Sequence, residues 1–531
     1  MRCDTVVIGG GHNGLVTAAY LARRGLETLV VERRPLLGGA CVTEELWPGY
    51  KVSRAAYVVG LLRPAVIREL ELERHGLQLL RRDPWSYTPL ADGRGLLMGS
   101  DPQATHREIS RFSPRDAARF PEYEALLDRT ARMLEPLLDV PPPDPAHPLL
   151  ADLWPLLRMA RAAVGLRRDL ARVFQLLVGP ARSALEGWFE SEPLRGTLAT
   201  DAVIGAWAAP STPGTGYVLF HHVMGETGGA RGVWANVRGG MGALSEAIAQ
   251  AARAAGAEIH IDSPVRRIVV DQGRAKGVEL EDGRVIEART VVSSVDPRRT
   301  FLGLVGADQL PAEVVADVEA IDFRSPSVKI NLALDGLPRF KGSADGRVGP
   351  EHRGTIHVGA QTLDELEAAF AAACRGELPE RPMVELTLPS VLDDGLAPDG
   401  HHVASMFVQY APHDLDAAAW DAQRDRFADR VFAMVDEVAP GFSERVVHRE
   451  VLAPPDLERI FGLTGGNIFH GAMGLDRLAF MRPFAGWARY RTPIDGLYLC
   501  GAGTHPGGGV MGACGRNAAA VILCDRKRGR G

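Results

Sequence analysis

The stretch TVVIGGGHNG at residues 5–14 decides the amino-terminal fold. Its first four residues are apolar and mostly β-branched, which is typical of a buried parallel strand. The glycines that follow match the pattern G-x-G-x-x-G, and apolar residues then recur at helical spacing from Leu15 to Ala22. A second apolar run, residues 29–31, ends at the acidic residue Glu32. This order of strand, glycine turn, helix and acidic strand end predicts a dinucleotide-binding βαβ unit.

Each part of such a unit has its own physical role. Gly9 permits the tight turn, Gly11 lets the backbone approach a pyrophosphate, and Gly14 allows close packing of helix on strand. The helix N-terminus offers unpaired N–H groups and a positive dipole end to the phosphates. We expect Glu32 to accept hydrogen bonds from the ribose hydroxyls; the alternative is a solvated strand end.

Composition excludes several classes of protein. The chain has 531 residues, 60 basic and 66 acidic, for a net charge of -6, so no global field favours nucleic acid. Six cysteines without a CxxC pair argue against a zinc module or a disulfide framework and fit a reducing compartment. No metal site is expected. The first strand-like run begins at Asp4, so we expect no signal peptide and a cytoplasmic protein.

A second pair of glycines, Gly38 and Gly39, follows Glu32 closely, where an NAD domain would proceed to its next helix. This arrangement resembles the extended fingerprint of FAD proteins of the glutathione-reductase-like superfamily. The resemblance implies that the glycine pair passes close to the cofactor and that a nearby arginine contacts phosphate. Arg33 and Arg34 are the candidates here.

The carboxy-terminal stretch GAGTHPGGGVMG at residues 501–512 carries six glycines in twelve positions. It follows a strand-like run and precedes a helical pattern, so we expect its backbone to approach a ligand closely. A helix N-terminus at Gly512 would then face the pyrimidine end of a flavin; a plain loop is the alternative. The cofactor-binding candidates of this stretch are Gly501, Gly503, Met511 and Gly512.

A third glycine-led segment lies between the two ends of the chain. GGMG at residues 239–242 precedes a helical pattern, and strand-like runs follow at 258–261, 265–270, 278–280 and 291–293. Turn signals separate these runs, which together predict a small antiparallel layer.

The motifs together resemble the flavin-dependent phytoene desaturase superfamily, also called carotenoid/retinoid oxidoreductases, and its branch named for a pyridine-nucleotide-disulphide-oxidoreductase domain. They run in order through nearly the whole chain: GGGHNGLVTAAYL at 9–21, GGACVTEELWPGYKVSRAAYVVGLLRP at 38–64, GTGYVLFHHVMG at 214–225, GGMGALSEAIA at 239–249, FHGAMGLDRLAFMRP at 469–483 and GLYLCGAGTHPGGGVMGACGRNAA at 496–519. The resemblance implies an oxidoreductase that binds FAD, with the backbone near Val265 meeting the adenine.

The implied fold class is α/β, a Rossmann-like FAD-binding domain of the glutathione-reductase-like superfamily with an inserted α+β substrate-binding lobe. We assign residues 1–64, 236–296 and 466–531 to the FAD-binding domain and residues 65–235 and 297–465 to the substrate-binding lobe. Within the lobe, strand-like runs at 327–334, 383–388 and 402–409 predict a sheet that floors the substrate cavity, and residues 113–195 are predicted to be mainly helical. Their mixture of apolar residues and arginines fits either a lid over the core or an amphipathic surface that docks peripherally on a membrane.

Residues for catalysis are less clearly marked. His505, inside the carboxy-terminal glycine stretch, and Lys329, one of five lysines and in a predicted strand, are the candidates; for each, a scaffold role is the alternative. His221, His222 and His470 also fall in family-like segments. Because no CxxC pair and no second nucleotide-binding unit is visible, NAD(P)H is disfavoured as reductant. The expected electron acceptor is dioxygen, a quinone or another acceptor that the sequence does not identify.

Three functions remain open from sequence. The first is a dehydrogenase or desaturase that transfers hydride from an apolar, isoprenoid-like small molecule to flavin. The second is a flavin amine or amino-acid oxidase, and the third is a non-catalytic FAD-binding protein that regulates a partner. The sequence gives no oligomeric state.

Overall fold

The computed structural model describes residues 1–146, 148–227, 230–343 and 347–529. Its strands, numbered in chain order, are β1 (Arg2–Ile8), β2 (Thr28–Val31), β3 (Thr43–Trp47), β4 (Tyr50–Ser53), β5 (Leu79–Arg81), β6 (Ser86–Pro89), β7 (Gly95–Met98), β8 (Glu226–Thr227), β9 (Ala230–Arg231), β10 (Ala235–Val237), β11 (Glu258–His260), β12 (Val265–Asp271), β13 (Arg274–Leu280), β14 (Val285–Ser293), β15 (Ser327–Leu334), β16 (Thr355–Val358), β17 (Met383–Thr387), β18 (His402–Gln409), β19 (Val446–Leu452) and β20 (Leu497–Leu499).

The α-helices are α1 (His12–Ala22), α2 (Pro64–Glu69), α3 (Pro102–Ser110), α4 (Pro114–Leu138), α5 (Leu153–Gly165), α6 (Leu170–Val178), α7 (Ala181–Trp188), α8 (Glu192–Val203), α9 (Thr215–Val223), α10 (Met241–Ala254), α11 (Ala312–Glu319), α12 (Leu363–Cys374), α13 (Ala417–Val438), α14 (Pro454–Phe461) and α15 (Ala513–Lys527). Among the described residues, none of these helices is both long enough and apolar enough to cross a bilayer.

The first sheet is mostly parallel and joins three distant parts of the chain. Strands β11, β2, β1, β14 and β20 lie side by side in that order, all parallel to their neighbours. The far end of β14 also pairs antiparallel with β13, which pairs with β12. The runs predicted at 258–261 and 291–293 are therefore not part of the antiparallel layer. Ile259 lies beside Val30 of β2 in the parallel sheet, and Val292 lies in parallel register between Val7 of β1 and Tyr498 of β20. Ile259 is half-buried in this edge strand and lies against the apolar, β-branched residues of β2.

Helices α1, α10 and α15 share one buried core with this sheet. Helices α1 and α15 come from opposite ends of the chain and pack closely because Gly515 has no side chain. A Cβ at this position would lie 2.3 Å from the carbonyl oxygen of Asn13. The two glycine-rich ends are thereby fixed against each other.

The second sheet has the strand order β19-β15-β18-β17-β16-β6-β7. The strands predicted around 327–334, 383–388 and 402–409 are confirmed as β15, β17 and β18. Alternate residues of a strand point to opposite faces. Val328 and Ile330 accordingly pack in the core with α13, whereas Ser327 and Lys329 line a cavity. Helices α4, α7, α8 and α9 share a further core with Phe407 of this sheet.

Candidate active site

One continuous cavity of about 1620 Å³ joins the first sheet to the second. Gly11 and Glu32 line it at one end, and Lys329 and Glu385 line it at the other. A pocket for a single small ligand usually encloses about 300–1,000 Å³. The cavity therefore has room for a dinucleotide and a substrate together.

The amino end of α1 provides the anion-binding part of this cavity. Gly11 precedes the helix in extended backbone and no side chain caps the first turn. A Cβ on Gly11 would meet only the carbonyl oxygen of Gly38, at 3.9 Å, so the backbone is open on the cavity side. Uncapped helix amides beside open backbone are the arrangement that a pyrophosphate requires.

Gly9 and Gly14 shape this turn through backbone geometry and packing. Gly9 has a φ of +93°, in the left-handed region that favours glycine. A Cβ on Gly14 would lie 2.2 Å from the carbonyl oxygen of Gly9, which leaves no room for any side chain. Gly9 lines the cavity, whereas Gly14 is not among its described lining residues.

The carboxylate of Glu32 is held rigidly in the cavity wall. The side chain is buried, its Oε2 accepts a hydrogen bond from the N–H of Gly10 at 2.7 Å, and its Oε1 accepts one from the N–H of Arg34 at 2.9 Å. Each carboxylate oxygen has a second lone pair that these bonds leave available. Glu32 therefore fits the ribose-binding role expected from its sequence position.

Arg33 and Arg34 both line the cavity, but protein groups engage their guanidinium groups. Nη2 of Arg33 donates to the carbonyl oxygen of Ile460 at 2.7 Å, and Nη2 of Arg34 pairs with Oε1 of Glu44 at 2.7 Å. The sequence did not point to Arg298 and Arg299, which line the same cavity. They lie five and six residues beyond the end of β14, and only the parallel sheet brings that end beside β1.

The second pair of glycines lies against the first. The N–H of Gly38 donates to the carbonyl oxygen of Gly10 at 2.8 Å, and a Cβ on Gly39 would lie 3.4 Å from the Cα of Gly11. Gly38, Gly39 and the predicted adenine neighbour Val265 all line the cavity. These residues, distant in sequence, thus share one wall.

The carboxy-terminal glycine stretch reaches the same cavity, but through other residues than those predicted. Among the described residues, Ala502, Gly509 and Val510 line it, while Gly501, Gly503, Met511 and Gly512 do not. Close packing explains the glycines. A Cβ on Gly501 would lie 2.4 Å from the carbonyl oxygen of Ser294, one on Gly503 would lie 2.6 Å from Cδ of Pro297, and one on Gly512 would lie 3.2 Å from Val66.

His505 lies outside the described cavity lining. Its ring is buried, and Nε2 lies 2.8 Å from the carbonyl oxygen of Leu137 at the end of α4. Burial lowers the pKa of His505 to about 4, so the ring is neutral near pH 7. This placement joins the glycine stretch to α4 and gives the ring no described contact with the cavity, so we do not retain His505 as a catalytic candidate.

Lys329 does line the cavity, on the β15 side. Its Nζ donates a hydrogen bond to Oδ1 of Asn331 at 2.7 Å and another to the hydroxyl of Ser405, and it lies 5.3 Å from the centre of the Tyr57 ring. Burial lowers the pKa of Lys329 to about 7. The amine can therefore take up or release a proton near neutral pH.

A buried polar cluster near Lys329 has no signal in the sequence. Tyr57 donates a hydrogen bond to Oε2 of Glu385 at 2.8 Å, and Arg82, Asp201 and Glu385 line the same chamber. Burial raises the pKa of Asp201 to about 8 and also raises the pKa of Glu385. These groups come from separate parts of the chain, with Asp201 in α8 and Glu385 in β17, so no local sequence pattern brings them together.

Two further histidines line the cavity: His12, which the sequence did not single out, and His470, which it marked only as part of a family-like segment. Nε2 of His12 and Nδ1 of His470 are buried and have no hydrogen-bond partner among the described residues. Burial lowers the pKa of each ring to about 4. A buried polar atom without a partner is costly, and a bound ligand would satisfy it. Of the other candidates, His222 lines the cavity, whereas Nε2 of His221 lies 3.0 Å from the carbonyl oxygen of Gly508.

The family model for flavin containing amine oxidoreductases matches residues 14–523, nearly the whole chain. The chain therefore belongs to this family of FAD-dependent oxidoreductases, and FAD is its cofactor. The uncapped amino end of α1, the carboxylate of Glu32 and the unpartnered nitrogens of His12 and His470 all fit FAD as the ligand of this cavity.

Individual relatives agree with this assignment. The chain is 47% identical, over 99% of its own length and 94% of the relative's, to the rat (Rattus norvegicus) "Pyridine nucleotide-disulfide oxidoreductase domain-containing protein 2". It is 27% identical to the "zeta-carotene-forming phytoene desaturase" of Myxococcus xanthus, covering 95% of this chain and 90% of that one. The resemblance to phytoene desaturases is thus confirmed at a distance.

Solved structures show the same fold. Cyclohexylamine oxidase from Brevibacterium oxydans aligns over 99% of this chain and 100% of its own, with a TM-score of 0.57 and 18% identity. The predicted fold class is confirmed as a mixed α/β fold of the flavin amine oxidase type.

Proposed function

We propose that the protein is an FAD-dependent dehydrogenase or desaturase that acts on an apolar, isoprenoid-like small molecule. The observation that carries the proposal is the continuity of the cavity, which leads from the Gly11–Glu32 region into a chamber walled by the second lobe. Bound FAD supplies a two-electron acceptor for the hydride that leaves a substrate carbon. Dioxygen or a quinone then takes the electrons. The strand order of the first sheet, with its three-stranded antiparallel layer, supports placing the FAD-binding domain in the glutathione-reductase-like superfamily.

Apolar side chains give the chamber its affinity for such a substrate. Leu61, Ile204, Leu219, Phe407 and Phe469 line it from five different segments of the chain. Burial of a substrate against them is favourable by about 25 cal/mol for each Å² of apolar surface. The same apolar walls keep water from the substrate.

Lys329 is the group best placed to handle the second proton. Formation of a double bond requires that a proton leave the carbon next to the one that loses hydride. Nζ of Lys329 lines the chamber, and the pKa of about 7 makes its neutral form available as an acceptor. Asn331 and Ser405 hold that nitrogen in position.

Disulfide chemistry is not part of the proposal, although the rat relative's name mentions it. All six cysteines lie in described ranges and are free thiols. Of the described cavity-lining residues, Cys41 is the sole cysteine, and its Sγ donates to the carbonyl oxygen of Met241. A reducible cysteine pair is therefore missing from the described cavity wall.

The test is anaerobic reduction of the bound flavin. Purified protein is mixed with a detergent-dispersed isoprenoid polyene, and loss of the oxidised flavin absorbance is followed. The variant Ile204→Glu, with a charge in the chamber wall, should keep its FAD and lose reduction. The matched variant Ile261→Glu, at an exposed position outside the cavity, should behave like the wild type. Retention of reduction by Ile204→Glu would contradict the assigned chamber.

An amine or amino-acid oxidase is the second candidate. The observation that favours it is the charged cluster, because Glu385 and Asp201 could pair with an ammonium group and Arg82 with a carboxylate. Release of peroxide with primary amines, without flavin reduction by polyenes, would select this candidate over the first.

A further inference from the structure

Helix α5 carries apolar side chains on two opposite faces. Met159, Ala162 and Ala163 lie on the face that packs against α4. At 100° per residue, Trp154, Leu157 and Val164 lie on the opposite face. Their exposed fractions are 69%, 56% and 65%. A helix that served only as a lid would bury one apolar face and present a polar one to solvent.

We define the α5 outer face as Leu153, Trp154, Leu157 and Val164 of α5 together with Leu150 of the short turn that precedes it, all of them exposed. Other exposed apolar residues of the described chain, such as Ile261, Val285 and Val447, lie far from α5 in sequence and on or beside strands. Scattered residues of this kind are ordinary, whereas a continuous apolar face marks an interaction site.

The segment that carries this face has a positive net charge, although the whole chain has a negative net charge. Residues 149–178 contain five arginines and two aspartates, a net charge of +3 against -6 for the chain. Both aspartates are paired, Asp152 with Arg489 and Asp169 with Arg129 and Arg172. All five arginines, among them Arg158 and Arg161, are exposed. Apolar side chains beside exposed arginines suit an anionic lipid surface.

One side of helix α4 connects the α5 outer face to the cavity. Glu124 and Ala125 line the cavity and are also exposed, so they mark a mouth. Glu124, Asp128, Arg132 and Pro136 follow at intervals of four residues and so share one side of the helix. Asp128 lines the cavity and pairs with Arg132 at 2.9 Å.

Arg132 and Pro136 in turn form a surface groove of about 440 Å³ with Trp154 and Leu157 of α5. The step from Asp128 to Arg132 is about 6 Å along the helix axis. The mouth and the α5 outer face are therefore neighbours on the surface.

We propose that the α5 outer face docks on an anionic lipid bilayer and holds the α4 mouth at the membrane surface. The docking itself rests on the apolar face and its arginines. That an apolar substrate enters the cavity from the bilayer rests on the proposed function.

The test is flotation of the purified FAD-loaded protein with vesicles, without substrate. Vesicles of phosphatidylcholine mixed with phosphatidylglycerol should bind the wild type, and high salt should weaken binding. Trp154→Glu/Leu157→Glu should bind about tenfold less or weaker still. Arg158→Gln/Arg161→Gln should lose about fivefold for each arginine. Val447→Glu, a matched charge at an exposed apolar site elsewhere, should bind like the wild type.

Three results would overturn the docking proposal. These are no binding to the mixed vesicles, equal binding to phosphatidylcholine alone, or undiminished binding by Trp154→Glu/Leu157→Glu with its FAD retained. A concentration-dependent dimer in sedimentation, abolished by the same double substitution, would assign the face to a second copy instead. Failure of flavin reduction in detergent together with intact vesicle binding would reject the proposed function and leave docking standing.

Discussion

Nζ of Lys329 donates a hydrogen bond to Oδ1 of Asn331 at 2.7 Å, and Asn331 in turn donates from Nδ2 to Oε2 of Glu450 at 3.0 Å. These two hydrogen bonds connect the cavity-facing amine of Lys329 to the carboxylate of Glu450. That carboxylate also forms an ion pair with Arg54, the residue that follows β4. The amide fixes the position of Nζ without adding a charge beside it. Burial can therefore lower the pKa of Lys329, although Glu450 acts in the opposite direction.

The first prediction concerns Lys329. If its neutral form accepts a proton, the rate of flavin reduction by substrate should rise with pH through an ionisation near 7. Lys329→Met should lose this pH dependence and react about 10²–10⁴-fold more slowly, because a positioned base contributes about that factor. Rapid-mixing kinetics between acid and alkaline pH would measure it. Lys341→Met, at an exposed lysine of the same lobe, is the control, and superimposable pH profiles for all three proteins would make Lys329 structural.

The second prediction concerns Asp201. The folded protein holds the Asp201 proton up to a pKa of about 8, whereas the unfolded chain releases it near 4. The unfolded state binds fewer protons between these values, so the free energy of unfolding falls as pH rises through this window. The slope is at most about 1.4 kcal/mol per pH unit.

Asp201→Asn should remove this part of the pH dependence and be more stable than the wild type near pH 8. Urea unfolding at a series of pH values would show the difference. Asp399→Asn, at an exposed aspartate, should follow the wild type. An Asp201→Asn curve parallel to the wild type would place the proton elsewhere.

The third prediction concerns Glu32. Glu32→Gln keeps one acceptor oxygen but loses the charge and one of the bonds to Gly10 and Arg34. Loss of a charged hydrogen bond costs about 1.5–3 kcal/mol, so FAD should bind about 10–150-fold more weakly. Fluorescence titration of the apoprotein with FAD measures the affinity. Glu27→Gln, an exposed residue just before β2, should bind FAD normally, and equal affinities would remove Glu32 from the site.

The fourth prediction concerns Gly14. Gly14→Ala places a methyl group where the carbonyl oxygen of Gly9 stands 2.2 Å away, so the helix must shift away from the strand. We expect a loss of about 1–3 kcal/mol or more in stability together with loss of bound FAD. Thermal unfolding and flavin content measure both effects. Gly187→Ala, in α7 with no atom within 4 Å of the added methyl, should be neutral or stabilising.

The sequence predicted the nucleotide-binding unit because its signals are local. A strand, a glycine turn, a helix and Glu32 follow one another within 30 residues, and each part depends on its immediate neighbours. The confirmed strands of the second sheet were visible for the same reason. The prediction that the strand at 258–261 belongs to the antiparallel layer was wrong, however. That strand pairs with β2, which lies more than 200 positions away in the chain.

The sequence indicated the family and the cofactor through its resemblance to known flavoproteins, and its glycine turns and apolar periodicity predicted the elements that carry the site, because these signals act over a few residues. Only the tertiary structure decided which side chains face the chamber. It turned His505 toward Leu137, brought Ala502, Gly509 and Val510 to the cavity instead of their neighbours, and gathered Lys329, Glu385 and Asp201. A side chain's direction at one position depends on what packs behind it, and those partners come from distant segments whose meeting no local pattern encodes.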